Sequence, residues 1–63
     1  MKEVMDTADV AELLSVNVKT VRRWLNDGKL PGANIPGVGY RVTARDVETF
    51  LNNHRRQTQS DEP

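Results

Sequence analysis

Hydrophobic residues recur at helical spacing in the first part of the chain, directly after an acidic residue suited to begin a helix. Asp6 is a good N-cap, and Asp9 three residues later can complete a capping box. Apolar positions at i, i+3 and i+4 then predict a helix over residues 7–14 with one buried face. The residues predicted to face the core from this helix are Val10, Leu13 and Leu14.

A second hydrophobic stripe predicts a helix over residues 18–27. Asn17 can cap its first turn, and Gly28 can end it because glycine readily adopts positive φ. Two short helices joined by about three residues, each with one buried face, are typical of a helix-turn-helix. The second stripe consists of Val18, Val21, Trp24 and Leu25, and Trp24 is predicted to anchor the core rather than stack on a nucleic-acid base.

Glycine and proline interrupt the helical pattern after the second helix. Six of the seven Gly and Pro residues lie between Gly28 and Gly39, so this segment is predicted to be turns and extended chain. Leu30 is expected to begin a short strand, which Pro31 confines to a sheet edge. Residues 40–42 alternate inward and outward as a second strand, and the two strands form a small β-hairpin.

The last apolar stripe predicts a third helix. Thr43 caps it, Asp46 completes the Thr-x-x-Asp capping box, and Val47, Phe50 and Leu51 form the buried face. Residues 54–63 contain no apolar residue and are predicted to be a disordered polar tail, which leaves residues 1–53 as the folded domain. The fold class is mainly α with a small β-hairpin.

The net charge of the whole chain is zero, but the charges are unevenly distributed along it. Residues 17–45 carry six Lys and Arg residues against Asp27 alone, a net charge of +5, whereas residues 1–16 carry −3 and residues 46–63 carry −2. A local basic patch attracts a polyanion over about 8 to 10 Å at ordinary ionic strength. The charge distribution therefore points to a nucleic-acid partner.

The residue types needed for other functions are scarce. The chain has no cysteine and a single histidine, His54, and no carboxylate pair or glycine-rich phosphate loop stands in a plausible setting, so no enzyme activity, metal or cofactor is expected. No apolar run exceeds two residues, so no membrane span or signal peptide is expected either. The expected location is the cytoplasm.

The polar face of the second helix has the composition of a DNA-reading surface. At about 100° per residue, the side opposite Val21 holds Lys19, Arg23 and Asn26, with Thr20 and Arg22 on its flanks. Lys19 and Arg23 repel each other at i and i+4, which does not help folding but suits a phosphate backbone. Arginine also binds guanine bidentately, and asparagine binds adenine in the same way. The alternative interpretation is an ordinary solvated helix face.

Two runs of sequence resemble a known family. DTADVAELLSVNVKTVRRWLNDGKLPG is similar to the helix-turn-helix of excisionase-type and MerR-like winged-helix proteins, and GYRVTARDVETFL is similar to their second wing strand and closing helix. The resemblance covers Asp6 to Leu51. It implies a winged helix-turn-helix of three helices and a two-stranded wing that binds DNA, with the second helix in the major groove. The recognition residues it implies are Lys19, Thr20, Arg22 and Arg23, with Arg41 at the base of the wing.

The tip of the predicted wing departs from the family, whose members often have arginines there. This sequence has Ile35 and Val38, so the tip is uncharged. Backbone amides can still approach a phosphate closely, and the expected wing contacts are Asn34, Gly37 and Gly39. The alternatives are a solvent-exposed loop and a contact with a neighbouring copy of the chain.

Sequence-specific binding to double-stranded DNA is therefore the expected function. If the chain is complete, it favours an excisionase-like architectural factor in recombination, which binds cooperatively in several copies, bends DNA and contacts an integrase. If it is the N-terminal domain of a longer protein, a small MerR-like transcriptional regulator is favoured. A protein-interaction module that has lost DNA binding is a third interpretation, against which the Lys19 to Arg23 face argues.

Overall fold

The computed structural model describes residues 3–61, with side chains up to Arg55. Within this range the chain forms three helices and one three-stranded antiparallel sheet. In chain order the elements are β1 (Val4–Met5), α1 (Thr7–Leu14), α2 (Val18–Asp27), β2 (Ala33–Ile35), β3 (Gly39–Thr43) and α3 (Ala44–Asp61). The predicted fold class, a mainly helical winged helix-turn-helix, is confirmed.

Short-range side-chain hydrogen bonds define where the first two helices begin. The Asp6 carboxylate accepts from the Asp9 N–H at 2.8 Å, and the Asp9 carboxylate accepts from the Asp6 N–H at 3.3 Å. At α2, the Asn17 side chain accepts from the Lys19 N–H at 2.9 Å. The predicted caps of both helices are confirmed, and each satisfies a donor that the first helical turn would otherwise leave unpaired.

Left-handed residues end the same two helices. Ser15 follows α1 with φ 58°, and Gly28 follows α2 with φ 80°. The chain then folds back over the end of α2, because the N–H groups of Lys29 and Leu30 both donate to the Trp24 carbonyl, at 2.9 and 3.2 Å. These hydrogen bonds carry the chain from α2 toward the sheet.

The sheet has β3 at its centre and β1 and β2 at its edges. The prediction that Leu30 begins a strand is wrong: β2 begins at Ala33, because Leu30 is bonded to the end of α2 and is only 1% exposed, buried in the core. The strand β1 was not predicted, since two residues are too few to show an alternating pattern. Its Met5 pairs with Val42 of β3 and is itself buried.

The core lies between the helices and the inner face of β3. Leu13 and Leu51, which the sequence predicts to be buried, are 44% and 38% exposed, and those two predictions are wrong. Ala11 is buried on α1 instead, so α1 turns its Val10 and Ala11 side toward the core rather than its Leu13 side. The buried residues are Met5, Val10, Ala11, Val21, Leu30, Val42, Val47 and Phe50.

Trp24 packs against this core from the side. It is half-buried, and its ring lies 4.9 Å from the Phe50 ring, centroid to centroid. The prediction that Trp24 packs with the core is confirmed. Trp24 is not fully enclosed, and smaller residues such as Val21 and Leu30 are more deeply buried than it is.

The third helix begins as predicted and ends later than predicted. The Thr43 hydroxyl accepts from the Asp46 N–H at 3.0 Å, and the Asp46 carboxylate accepts from the Thr43 N–H at 3.1 Å. The helix continues past Asn53 through Asp61, where a disordered tail was predicted from residue 54, because no Pro or Gly interrupts it. His54 also lies against Phe50, with ring centroids 4.3 Å apart. Residues 62 and 63 lie outside the described residues.

Candidate nucleic-acid interface

Helix α2 turns its basic side chains outward because its opposite side is held in the core. Val21 is fully buried, and the side chains of Lys19, Arg22 and Arg23 are exposed. Thr20 is half-buried, in keeping with its place on the flank of the helix. The outward face predicted from helical spacing is therefore present in the fold.

The charges on this face are not neutralised by the side chains that the structure describes. Among residues 3–55, the side chains of Lys19, Arg22 and Arg23 have no ion pair or hydrogen bond, although Asp27 follows Arg23 at i+4. Cations that carry full charge at the surface raise the local potential and attract an anion from solution. We call Lys19, Arg22 and Arg23 the basic face of α2.

Asn26 lies at the other end of α2, about 10 Å from Lys19 along the helix axis at 1.5 Å per residue. It is exposed, but its side chain is not free: the Tyr40 hydroxyl donates a hydrogen bond to Asn26 Oδ1. Tyr40 lies on β3, so this hydrogen bond connects α2 to the sheet. Tyr40 is not predicted as a site residue from the sequence, because no local pattern relates residue 40 to residue 26.

The wing consists of β2, β3 and the turn between them, residues 33–43. Its tip is a tight turn in which the Val38 N–H donates to the Ile35 carbonyl at 3.0 Å and Gly37 adopts φ 78°. Ile35 and Val38 are 41% and 53% exposed, so the apolar tip predicted from the sequence faces solvent. Asn34 pairs with Tyr40 across the hairpin, and Gly39 pairs with Ile35.

Arg41 lies at the base of the wing next to Tyr40. It is half-buried, and its Nη1 donates to the Tyr40 carbonyl at 2.7 Å. Side chains alternate along a strand, so Arg41 and the buried Val42 lie on opposite faces of β3. The Tyr40 side chain shares the face of Val42, so the guanidinium group lies on the face of β3 opposite the Tyr40 side chain and keeps its remaining N–H donors available.

Gly32 allows the wing to approach α2 closely. A Cβ atom at this position would lie 2.7 Å from Leu25 Cδ2 and 3.2 Å from Val42 Cγ2. The chain thus crosses directly over the last turn of α2 on its way to β2. The structure brings Asn26 and Tyr40 together at this junction, while Arg41 extends from the other face of β3 and Lys19 lies at the opposite end of α2.

The arrangement of a two-helix unit, a third helix and a β-hairpin beside the second helix defines the class of winged helix-turn-helix proteins. The helix-turn-helix domain family matches residues 4–55, and the chain belongs to this family. Its members are small excisionase-like and MerR-like DNA-binding domains, so membership implies DNA binding, and they are typically not enzymes. Comparison with curated proteins and with solved structures finds no match.

Among the side chains that the structure describes, residues 3–55, no group of three or more His, Asp or Glu is placed to bind a metal ion. No helix within residues 3–61 is both long enough and apolar enough to cross a membrane.

Proposed function

We propose that this chain binds double-stranded DNA sequence-specifically, with α2 in the major groove and the wing on the neighbouring phosphate strand or minor groove. The observation that carries the proposal is the basic face of α2, which is exposed, unpaired and opposite the buried Val21. A helix of about 10 to 12 Å diameter fits a major groove that is about 12 Å wide. The second helix of a helix-turn-helix docks in this way.

The position of each side chain suggests its role in this complex. Arg23 lies at the centre of the outward face and is proposed to contact a base, since arginine binds guanine O6 and N7 with two hydrogen bonds. Lys19 lies in the first turn and is proposed to contact phosphate. Thr20 and Arg22 flank them. The proposed wing contacts are Arg41, Asn34, Gly37 and Gly39.

The proposal is preferred to an ordinary solvated face because the basic face opposes folding slightly. Like charges at i and i+4 destabilise an isolated helix by about 0.2 to 0.5 kcal/mol, and no acidic side chain among residues 3–55 forms an ion pair with either Lys19 or Arg23. Binding to a phosphate backbone turns this repulsion into attraction. The neutral total charge does not prevent it, because screening limits the acidic ends of the chain to their own neighbourhood.

The test begins with selection of a preferred site from a random duplex library, followed by affinity measurements on that site and on random DNA across salt concentrations. Arg23→Ala is expected to cost about 1 to 3 kcal/mol on the preferred site and little on random DNA. Lys19→Ala is expected to weaken binding to both duplexes. It is also expected to reduce the slope of log affinity against log salt concentration by about one.

Arg45→Ala is the matched control, because it removes the same charge from an exposed residue at the start of α3, on the β1 side of the sheet. Its affinity is expected to stay close to that of the parent protein. Equal losses of affinity for Arg23→Ala on the preferred site and on random DNA would show that the basic face is a non-specific electrostatic surface. No salt-dependent binding by the parent protein would end the proposal.

We further propose that the protein acts as an excisionase-like architectural factor, in which several copies bind adjacent sites cooperatively, bend the DNA and contact an integrase. Family membership supports this role, and the exposed tip residues Ile35 and Val38 offer an apolar contact for an adjacent copy. Such a protein would work in the cytoplasm, where the DNA is.

Two measurements distinguish this role from that of a small MerR-like transcriptional regulator. Duplexes with one or two copies of the selected site are titrated, and the DNA end-to-end distance is followed by fluorescence energy transfer. The architectural role predicts tighter binding to the second site and a shortened end-to-end distance. Independent binding to straight DNA would favour the simple regulator and leave the DNA-binding proposal standing.

A further inference from the structure

The hydrogen bond between Tyr40 and Asn26 joins the wing to α2 at the molecular surface. Asn26 is exposed and Tyr40 is half-buried, so water is available to pair with either group if the bond is absent. A hydrogen bond that satisfies no buried group adds little to folding. Its effect is on geometry, because it fixes a side chain of α2 against a strand of the wing.

The same bond limits what Asn26 can offer to a ligand. An asparagine amide has an acceptor oxygen and an NH₂ group with two donors, on opposite sides of the amide carbon. Reading adenine bidentately requires both groups to face the base. Because Oδ1 is held toward the Tyr40 hydroxyl, it is not directed at a base, and the two donors of the NH₂ group are the part of the amide that the wing strand leaves without a partner. This differs from the adenine contact that the sequence suggests for asparagine.

The location of the bond indicates which acceptor these donors meet, and here the inference rests on the proposed function. If α2 lies in the major groove and the wing lies beyond its edge, a bond between them crosses the phosphate strand that separates the two grooves. Phosphate oxygens are acceptors only, which matches the NH₂ donors that the bond to Tyr40 leaves without a partner.

We propose that Tyr40 is a positioning residue for DNA binding. Its hydroxyl holds the wing at a fixed angle to α2 and turns the Asn26 NH₂ group toward a backbone phosphate. Asn26 therefore sets the register of the protein on the duplex and does not read a base. The close passage of Gly32 over Leu25 acts at the same junction, so the wing is held at two points.

Tyr40→Phe is the first test, because it removes the hydroxyl and keeps the ring. The circular dichroism spectrum and melting temperature are expected to stay close to those of the parent protein. Affinity is expected to fall about fivefold, the equivalent of one net hydrogen bond, on the selected duplex and on random DNA alike. Asn26→Ala added to Tyr40→Phe is expected to cost less than it does alone, since the two residues act together.

Asn26→Asp separates the two roles of the amide. The aspartate still accepts from the Tyr40 hydroxyl, but it donates nothing and repels phosphate, so affinity is expected to fall more than tenfold. Asn52→Asp is the matched control on the exposed side of α3, with the same change in charge, and is expected to bind like the parent protein.

Duplexes with one neutral methylphosphonate at a time identify the phosphate directly. The parent protein is expected to lose affinity when the phosphate that Asn26 contacts is made neutral. Asn26→Ala already lacks this contact, so the same neutral phosphate is expected to cause it no further loss of affinity. Unchanged affinity of Tyr40→Phe, or an Asn26→Ala effect confined to one adenine, would overturn the positioning role while DNA binding stands. A parent protein that binds no duplex overturns the proposed function and this role with it.

Discussion

At the scale of single residues, the backbone of Ser15 shapes the turn between α1 and α2. It is the one non-glycine residue with positive φ among residues 3–61, and its side chain is exposed. A left-handed conformation costs residues other than glycine about 1 to 2 kcal/mol. The turn keeps this conformation because the Val16 N–H then donates to the Ala11 carbonyl at 2.9 Å, which directs the chain into α2.

Ser15→Gly is therefore expected to stabilise the domain. Glycine removes the left-handed cost, and its greater freedom in the unfolded chain offsets part of the gain, which leaves about 0.5 to 1 kcal/mol. Urea denaturation measures the change, and Ser15→Ala, which keeps the strained conformation, is the control. A less stable glycine variant would show that the hydroxyl contributes more than the backbone costs.

Two leucines test the burial pattern. Leu30 is 1% exposed and Leu13 is 44% exposed, so Leu30→Ala empties a space in the core and Leu13→Ala trims a surface residue. The expected losses of unfolding free energy are about 2 to 5 kcal/mol for Leu30→Ala and less than about 1 kcal/mol for Leu13→Ala. Thermal melts of the two variants make the comparison. Similar losses would mean that Leu13 is covered in solution.

Helical spacing predicted the centre of each buried face but not its width. Val10, Val21 and Val47 are all fully buried, as the pattern indicates. Leu13 and Leu51 lie at the margins, where the angle at which a helix docks decides between core and solvent. That angle depends on contacts with other elements, which periodicity along one helix does not encode.

At the scale of elements, two glycines near the end of α2 are needed for different reasons. Gly28 has φ 80° and open space around it, whereas Gly32 has close neighbours at the position of a Cβ atom. Gly28→Ala is expected to cost about 1 to 2 kcal/mol through backbone conformation, and Gly32→Ala about 1 to 3 kcal/mol through overpacking.

Substitution by asparagine distinguishes the effect of backbone conformation at position 28 from the effect of overpacking at position 32. Because asparagine tolerates the left-handed region, Gly28→Asn is expected to be more stable than Gly28→Ala. At position 32 the larger side chain meets Leu25 and Val42, so Gly32→Asn is expected to be less stable than Gly32→Ala. Denaturation curves of the four variants provide the ranking, and the same order at both positions would contradict it.

The sequence predicted those elements whose ends depend on neighbouring residues. The caps at Asp6, Asn17 and Thr43 act over two or three residues, so the starts of the three helices in residues 3–61 follow from local pattern. The start of β2 depends on the burial of Leu30 at the end of α2, and β1 depends on pairing with β3, which is distant from it in sequence. Such pairing leaves almost no signal in segments of two or three residues.

At the scale of the whole molecule, the folded contacts extend to His54. Its ring lies 4.3 Å from that of Phe50, and Phe50 in turn lies 4.9 Å from Trp24. This series of rings ties the middle of α3 to α2. The predicted domain boundary at residue 53 would remove the outermost ring.

Two truncations test this boundary. A chain ending at Arg55 is expected to match the full chain in stability, because it keeps every side-chain contact described above. A chain ending at Asn53 is expected to lose about 0.5 to 1.5 kcal/mol, the contribution of one pair of rings in contact. Calorimetry compares the two, and equal stabilities would show that the His54 ring adds nothing to the fold.

Only part of the candidate site is predicted from the sequence, because only that part follows from a local pattern. The outward face of α2 follows from the periodicity of one helix, so Lys19, Arg22 and Arg23 were found from the sequence and are exposed in the fold. The contact between Asn26 and Tyr40 joins two elements and has no local signature. Only the packing of the wing against α2 reveals it.

The outer strand of the sheet also bears on how the protein behaves when many copies are crowded together. β2 has three residues at an edge of the sheet, and Pro31 and Pro36 bracket it. Proline has no N–H to donate, and so short an edge gives an incoming strand little to pair with. The β2 edge is therefore protected against edge-to-edge pairing with other copies in concentrated solution.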